Sequence, residues 1–242
     1  MIRLFRNHRR AFVLGLGIFL ILGLAGGSYG LWYILIGPSG PAAVTPVIPA
    51  GTNIPIPAAL DGQWTVNTSL GSLGDGSVSF AGFRVQEQLV GVGGHTAVGR
   101  STKVGGSLTL TGAVISQVQM TVDMTGLTSD DPLRDQQLAR QAIETTKYPS
   151  ATFKLTTPLD LGSLPGEGKI ITAQATGDLT LHGVTRTVTI SLQAQRVGGV
   201  IAVAGSLPII FGDWSVQKPN SFSILSVDDH GTMEFHLLFT HS

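Results

Sequence analysis

The sequence predicts an all-β domain, either a closed antiparallel barrel or a two-sheet sandwich, carried behind a membrane-spanning helix and a proline-rich spacer. Three observations predict it. From residue 63 onward the apolar residues recur mainly with period two, the mark of strands with one buried face. One segment alone, 131 to 149, breaks that period. Ahead of both lies an uncharged run, residues 11 to 36, long enough to cross a bilayer.

The first element is that run, AFVLGLGIFLILGLAGGSYGLWYILI, preceded by Arg3, Arg6, Arg9 and Arg10. As a helix at ~1.5 Å per residue it reaches ~39 Å, more than the ~30 Å hydrocarbon core. A cleaved secretory signal shares the basic start but carries an apolar region of only ~7 to 15 residues. The length therefore predicts an uncleaved anchor, with residues 1 to 10 cytoplasmic and everything after residue 36 exported. Trp32 and Tyr33 fall where their rings suit the headgroup level. Residues 37 to 62 hold six of the 12 prolines, whose fixed φ and missing N–H disfavour helix and sheet alike. They read as a semi-extended spacer between the membrane and a domain at 63 to 242.

About eight or nine strands follow. In 78 to 90, Phe83, Val85 and Leu89 share a face with Glu87, while Arg84, Gln86 and Gln88 share the other. Leu108 and Leu110 mark the apolar face of 104 to 112, and Met120 and Val122 that of 118 to 124. Phe153 and Leu155 do so in 151 to 156, and Leu179 and Leu181 in 170 to 181. Val188, Ile190 and Leu192 alternate with Thr189, Ser191 and Gln193, and Arg186 has their parity. Further strands are predicted at 64 to 69 and 200 to 211, and the last carries Met233, Phe235, Leu237 and Phe239. Between 132 and about 146 the pattern predicts one helix, capped by Asp131, opened by Pro132 and barred from continuing by Pro149. Leu133, Leu138, Ala142 and Ile143 are its expected contacts with the barrel.

Composition narrows the chemistry. The chain has 242 residues, 12% of them charged, and no cysteine, which excludes disulfides, thiolate metal sites and a thiol nucleophile. Lys and Arg total 15, as do Asp and Glu. Without the four N-terminal arginines, 11 cations face 15 acids, so the exported part carries a formal charge of −4. That balance excludes nucleic acid as an expected partner. The six histidines form no metal-ligand spacing on a helix. His182 reads as a solvated turn residue, His236 and Glu234 as a surface pair on the polar parity of the last strand, and Asp228-Asp229-His230 as a solvated turn. No catalytic residue, cofactor or metal ligand is assigned. Glu87 and Arg186 are charges on apolar parity, costly in an interior unless paired or wet. Either they lie near strand ends where the barrel opens, or they orient the polar head of a ligand.

Three stretches resemble the YceI family of lipid-binding domains. ATGDLTLHGVTRTVTISL, 175 to 192, is similar to its Gly, x, Leu, Thr, x, x, Gly, Val, Thr pattern and the alternating strand after it. LRDQQLARQAIETTKYPSATF, 133 to 153, resembles its Arg-Asp helix ahead of Tyr-Pro and a Phe. SFAGFRVQEQL and AVGRSTKVGGSL are similar to a third family stretch. Two departures bear on head-group preference: Gln136-Gln137 replace a helical His found in many members, and Ile209-Ile210 replace a polar pair.

The resemblance implies a lipocalin-like antiparallel barrel of about eight strands with one short α-helix, and a binding function rather than a reaction. It implies that the inward residues line a cavity for a long-chain amphiphile, such as a polyisoprenoid, an isoprenoid quinone or a fatty-acyl lipid. The alternative is a tethered structural or protein-interaction domain with a filled barrel and no ligand. Nothing in the sequence fixes the oligomeric state.

Overall fold

The computed structural model describes residues 45–91, 93–219 and 224–242. The predicted cytoplasmic segment, the anchor and the start of the spacer lie outside the described residues. Eight strands close a ring: β1 (Gly62–Val66), β4 (Val104–Thr111), β5 (Val114–Asp123), β7 (Ser150–Leu155), β9 (Ile171–Leu181), β10 (Val184–Val197), β11 (Val200–Ile210) and β13 (His230–His241), which returns to β1. Each pairs antiparallel with its neighbours, so the barrel answers the choice that periodicity left open.

The ring is not the whole sheet. The start of β13, Thr232 to His236, pairs with β2 (Phe80–Leu89), while its end, Phe239 to His241, pairs with β1. Beyond β2 come β3 (Gly93–Ser101) and the short β6 (Thr128–Ser129), and β12 (Ile224–Val227) also adds to β2. The two-residue β8 (Leu159–Asp160) joins β5. The sequence missed β3 because GGHTAVGRS carries too few large apolar residues to show alternation. One of its glycines is required by packing: Gly99 lies opposite Phe83 of β2, and a Cβ there would stand 2.4 Å from the Phe83 ring.

The helix is shorter than its pattern predicts. Asp131 accepts from the Leu133 N–H at 2.8 Å and Pro132 opens α1 (Pro132–Gln137), as expected. The turn then widens to π geometry over Leu138–Ala142 and stops. Leu138, Ala142 and Ile143 pack on the barrel, but Leu133 is 68% exposed. The buried member of that first turn is Arg134, one step further round the helix.

The spacer also behaves differently from a free linker over its described part. Residues 45 to 61 form no helix or strand, as the prolines predict. They nonetheless lie against the barrel, with Ile48 and Ile54 packed on Val200, Ala202 and Leu238, and the Ile54 carbonyl accepting from the Gly199 N–H at 2.8 Å. The cause is β11, whose sequence VIAVA is apolar on both faces. A sheet face of Val200 and Ala202 needs cover from water, and this strap supplies it.

The same cover corrects two sequence readings. Glu234 and His236 do point away from the barrel interior, yet each is 1% exposed. Glu234 receives Arg84 at 2.7 Å and Arg100 at 2.8 Å from the added β2–β3 hairpin. At His236, Val47 of the strap approaches Nε2 with its N–H and carbonyl each at 3.0 Å, and Nδ1 reaches the Val78 carbonyl at 2.9 Å. His182, expected in solvent, is buried as well. It turns the chain between β9 and β10 with Gly183, both at positive φ (51° and 75°), the requirement of a two-residue hairpin turn. Its ring then meets Glu144 at 2.9 Å, the Trp214 carbonyl at 3.2 Å and the face of Tyr148. Asp228, Asp229 and His230 lie in the expected exposed turn.

Candidate functional site: two apolar chambers

Inward side chains leave two adjoining cavities inside the barrel. The larger, of about 220 Å³, lies in the part closed by β1 and β4; the smaller, of about 140 Å³, lies under β2 and the helix. Ala81, Val122, Ala151 and Met233 border both, so the chambers share a wall.

Strand parity places most of the predicted residues. Leu108 and Leu110 of β4, Met120 and Val122 of β5, Phe153 and Leu155 of β7, Leu179 of β9, Ile190 and Leu192 of β10, and Phe235 and Leu237 of β13 all line the larger chamber. Phe83, Val85 and Glu87 of β2 and Leu181 of β9 line the smaller one. Three do not take part. Leu89 is half-buried where β2 meets Ile224 of β12 and borders neither chamber. Val188 packs instead into the cluster around Trp214. Arg186 lies opposite the inward Leu179, but two residues past the turn it swings out, donating from Nε to the Asp213 carbonyl at 2.7 Å with its side chain 49% exposed. At a strand end, solvation of the guanidinium outweighs strand parity.

Glu87 is the buried charge of the site, at 4% exposure. Its Oε1 accepts from Arg134 Nη2 at 2.6 Å and faces His95 Nδ1 at 3.1 Å. Arg134 also holds Asp130, and His95 Nε2 stands 3.9 Å from that second carboxylate. Burial opposes the charge on Arg134, but Glu87 and Asp130 more than offset it and raise the guanidinium pKa above its ordinary value. Arg134 borders the smaller chamber, and its Nε has no hydrogen-bond partner. Sequence reasoning named Glu87 and missed Arg134, although an arginine four residues after Asp130 on a helix was the available signal. It also missed the loop residues Leu161, Leu164 and Pro165, which border the larger chamber and carry no periodic signal. Among the described residues no three potential metal-ligating side chains converge.

A cavity walled mainly by aliphatic and aromatic side chains, with a buried pair of opposite charges at the smaller chamber, can hold an apolar chain and select its polar end.

Known proteins place this geometry in context. The family model for the YceI-like domain matches residues 64–239. A UPF0312 protein of Vibrio parahaemolyticus is 43% identical over 84 residues, which cover 34% of this chain and 40% of that protein. Protein YceI of Shigella flexneri is 32% identical over 127 residues, covering 51% of this chain and 59% of its own length. The alignments thus span from two fifths to under two thirds of these curated relatives. Among solved structures, a polyisoprenoid binding domain from Saccharophagus degradans implicated in plant cell wall breakdown superposes with a TM-score of 0.57 at 18% identity, over 75% of this chain and 99% of that one. BcnA of Burkholderia cenocepacia gives a TM-score of 0.51 at 24% identity, over 66% and 94%. These two likenesses establish the fold. The matched segment runs from within β1 to within the last barrel strand, and the chain belongs to the YceI-like domain family.

Proposed function

We propose that this protein is a membrane-tethered, extracytoplasmic binding protein that holds a long-chain amphiphile in the two chambers and performs no reaction on it. The ligand class is a polyisoprenoid, an isoprenoid quinone or a fatty-acyl lipid. The observation that carries this reading is the pair of adjoining apolar cavities, about 220 and 140 Å³. At ~24 cal/mol per Å³, keeping the larger one costs about 5 kcal/mol, as much as the whole net stability of a marginal domain. A barrel kept only as a scaffold gains nothing from that cost, so the cavities count against a packed, ligand-free interaction domain. The relative from Saccharophagus degradans is itself described as a polyisoprenoid binding domain, which supports the same ligand class here. The tether rests on the basic start and the uncharged run at 11 to 36.

The test is to express the full chain in a bacterial host, treat spheroplasts with protease, and examine the detergent-solubilised protein by native mass spectrometry and organic extraction. Digestion of the domain from outside and a retained long-chain lipid are expected. A protected domain refutes the topology, and a barrel that neither retains nor takes up any long-chain lipid refutes the binding.

A further inference from the structure

The two chambers differ in where they keep polarity. Apart from Arg196, Gln195 and Thr152, the larger chamber is bordered by apolar residues and a proline, and Arg196 and Gln195 are tied to the Gly198 and Gly168 carbonyls. The smaller chamber is bordered by Gln217 and Thr232 and by two charges, Glu87 and Arg134, both more than nine-tenths buried. A polar head placed among the aliphatic walls of the larger chamber would lose its water without a partner, so it belongs in the smaller one and the tail in the larger.

Two features of that smaller chamber define the head. The first is charge. The Arg134 guanidinium is already bound by Glu87 and by Asp130, so two carboxylates surround one cation and these three groups carry a formal −1. A carboxylate or phosphate head would meet net repulsion at close range and low dielectric. The second is hydrogen bonding. Both hydrogen bonds to the Glu87 carboxylate fall on Oε1, which leaves Oε2 without a donor among the described residues. Arg134 Nε is a buried donor without an acceptor. An acceptor and a donor open on neighbouring side chains complement a group that both donates and accepts.

The geometry points to Glu87 and Arg134 as the specificity-determining pair, selecting a ligand with an uncharged hydroxyl head and rejecting carboxylate and phosphate heads. The hydroxyl donates to Glu87 Oε2 and its oxygen lies beside the Arg134 guanidinium. Asp130 and His95 act through these two as positioning residues. This inference rests on the binding function proposed above and adds the class of head group.

Three probes with one tail separate the cases: hexadecanol, palmitate and hexadecyl phosphate, each competed against a fluorescent long-chain alcohol on the full, detergent-solubilised protein. Hexadecanol is expected to bind about tenfold or more tightly than either anion, the scale of one hydrogen bond to a charged group. In Glu87→Gln the cluster loses its excess negative charge, and palmitate should gain about tenfold relative to the alcohol. Because that change breaks a buried ion pair, Asp130→Asn is measured beside it: it brings the same three groups to neutrality at a partly exposed position and leaves the Glu87–Arg134 pair in place, and palmitate should again gain on the alcohol. Equal binding of all three probes to the unsubstituted protein, or an unchanged preference in a folded variant, overturns the inference and leaves lipid binding intact. Binding of none of the probes overturns lipid binding itself, and the head-group assignment with it.

Discussion

Replacing Ile190 by tryptophan separates a barrel that holds a ligand from one packed solid. Ile190 lies in the middle of β10, is 4% exposed, borders the larger chamber and faces Ala175 across the sheet register. In a solid core the indole overpacks and costs ~1 to 3 kcal/mol. For a domain of this size 1 kcal/mol is worth ~2 to 4 °C, so Tm should fall by roughly 2 to 12 °C. The structure instead puts a cavity of about 220 Å³ in front of this side chain. The added ring then enters existing space, and every ~40 Å³ that it fills offsets ~1 kcal/mol of cavity cost. The delipidated variant should therefore melt at or above the Tm of the unsubstituted protein while retaining much less lipid. Thermal denaturation and native mass spectrometry on the same sample read both quantities, with Arg186→Ala, an exposed residue outside both chambers, as the control that changes neither. A folded Ile190→Trp protein with undiminished lipid occupancy refutes the placement of the site. A fall of many degrees with no lipid in either protein refutes the cavity.

Two further outcomes test the outer layer. Glu234→Gln removes a carboxylate that Arg84 and Arg100 share, breaking a buried ion pair at both guanidinium groups, and should cost ~3 to 5 kcal/mol; a urea midpoint that hardly moves would show that this network does not hold β2 to β13. The pKa of His236 is depressed from its ordinary 6.5 by burial, with Arg100 adding to the effect against hydrogen bonds from the ring to the Val78 and Val47 carbonyls that oppose it. The folded state thus favours neutral imidazole and the unfolded chain takes up the proton first. The stabilisation is fully present above about pH 6.5 and is lost as pH falls through the lower folded value. Urea melts at stepwise lower pH should show that loss, and His236→Asn should flatten it; an equally steep loss in the variant places the titration elsewhere.

The sequence by itself determined what local geometry controls. Strand side chains alternate by construction, so the inward positions of Phe153, Ile190 and Leu237 could be read from period two, and Asp131-Pro132 fixed where the helix begins. What the sequence could not determine was the fate of outward residues, because burial on that face depends on which distant segment covers it. Parity placed Glu234 and His236 outside the barrel correctly, yet both are buried, since a hairpin brings Arg84 and Arg100 to one and a strap brings Val47 to the other. The same holds for the site. Glu87 stood out as a charge on an apolar face, but its partner Arg134 is 47 residues away and faces the chamber only because the helix turns that side inward. Arg186, with equal claim from parity, lies where the strand end lets solvent in. Direction along a strand is a property of the backbone, whereas desolvation is a property of everything packed around it, and only the tertiary structure supplies that.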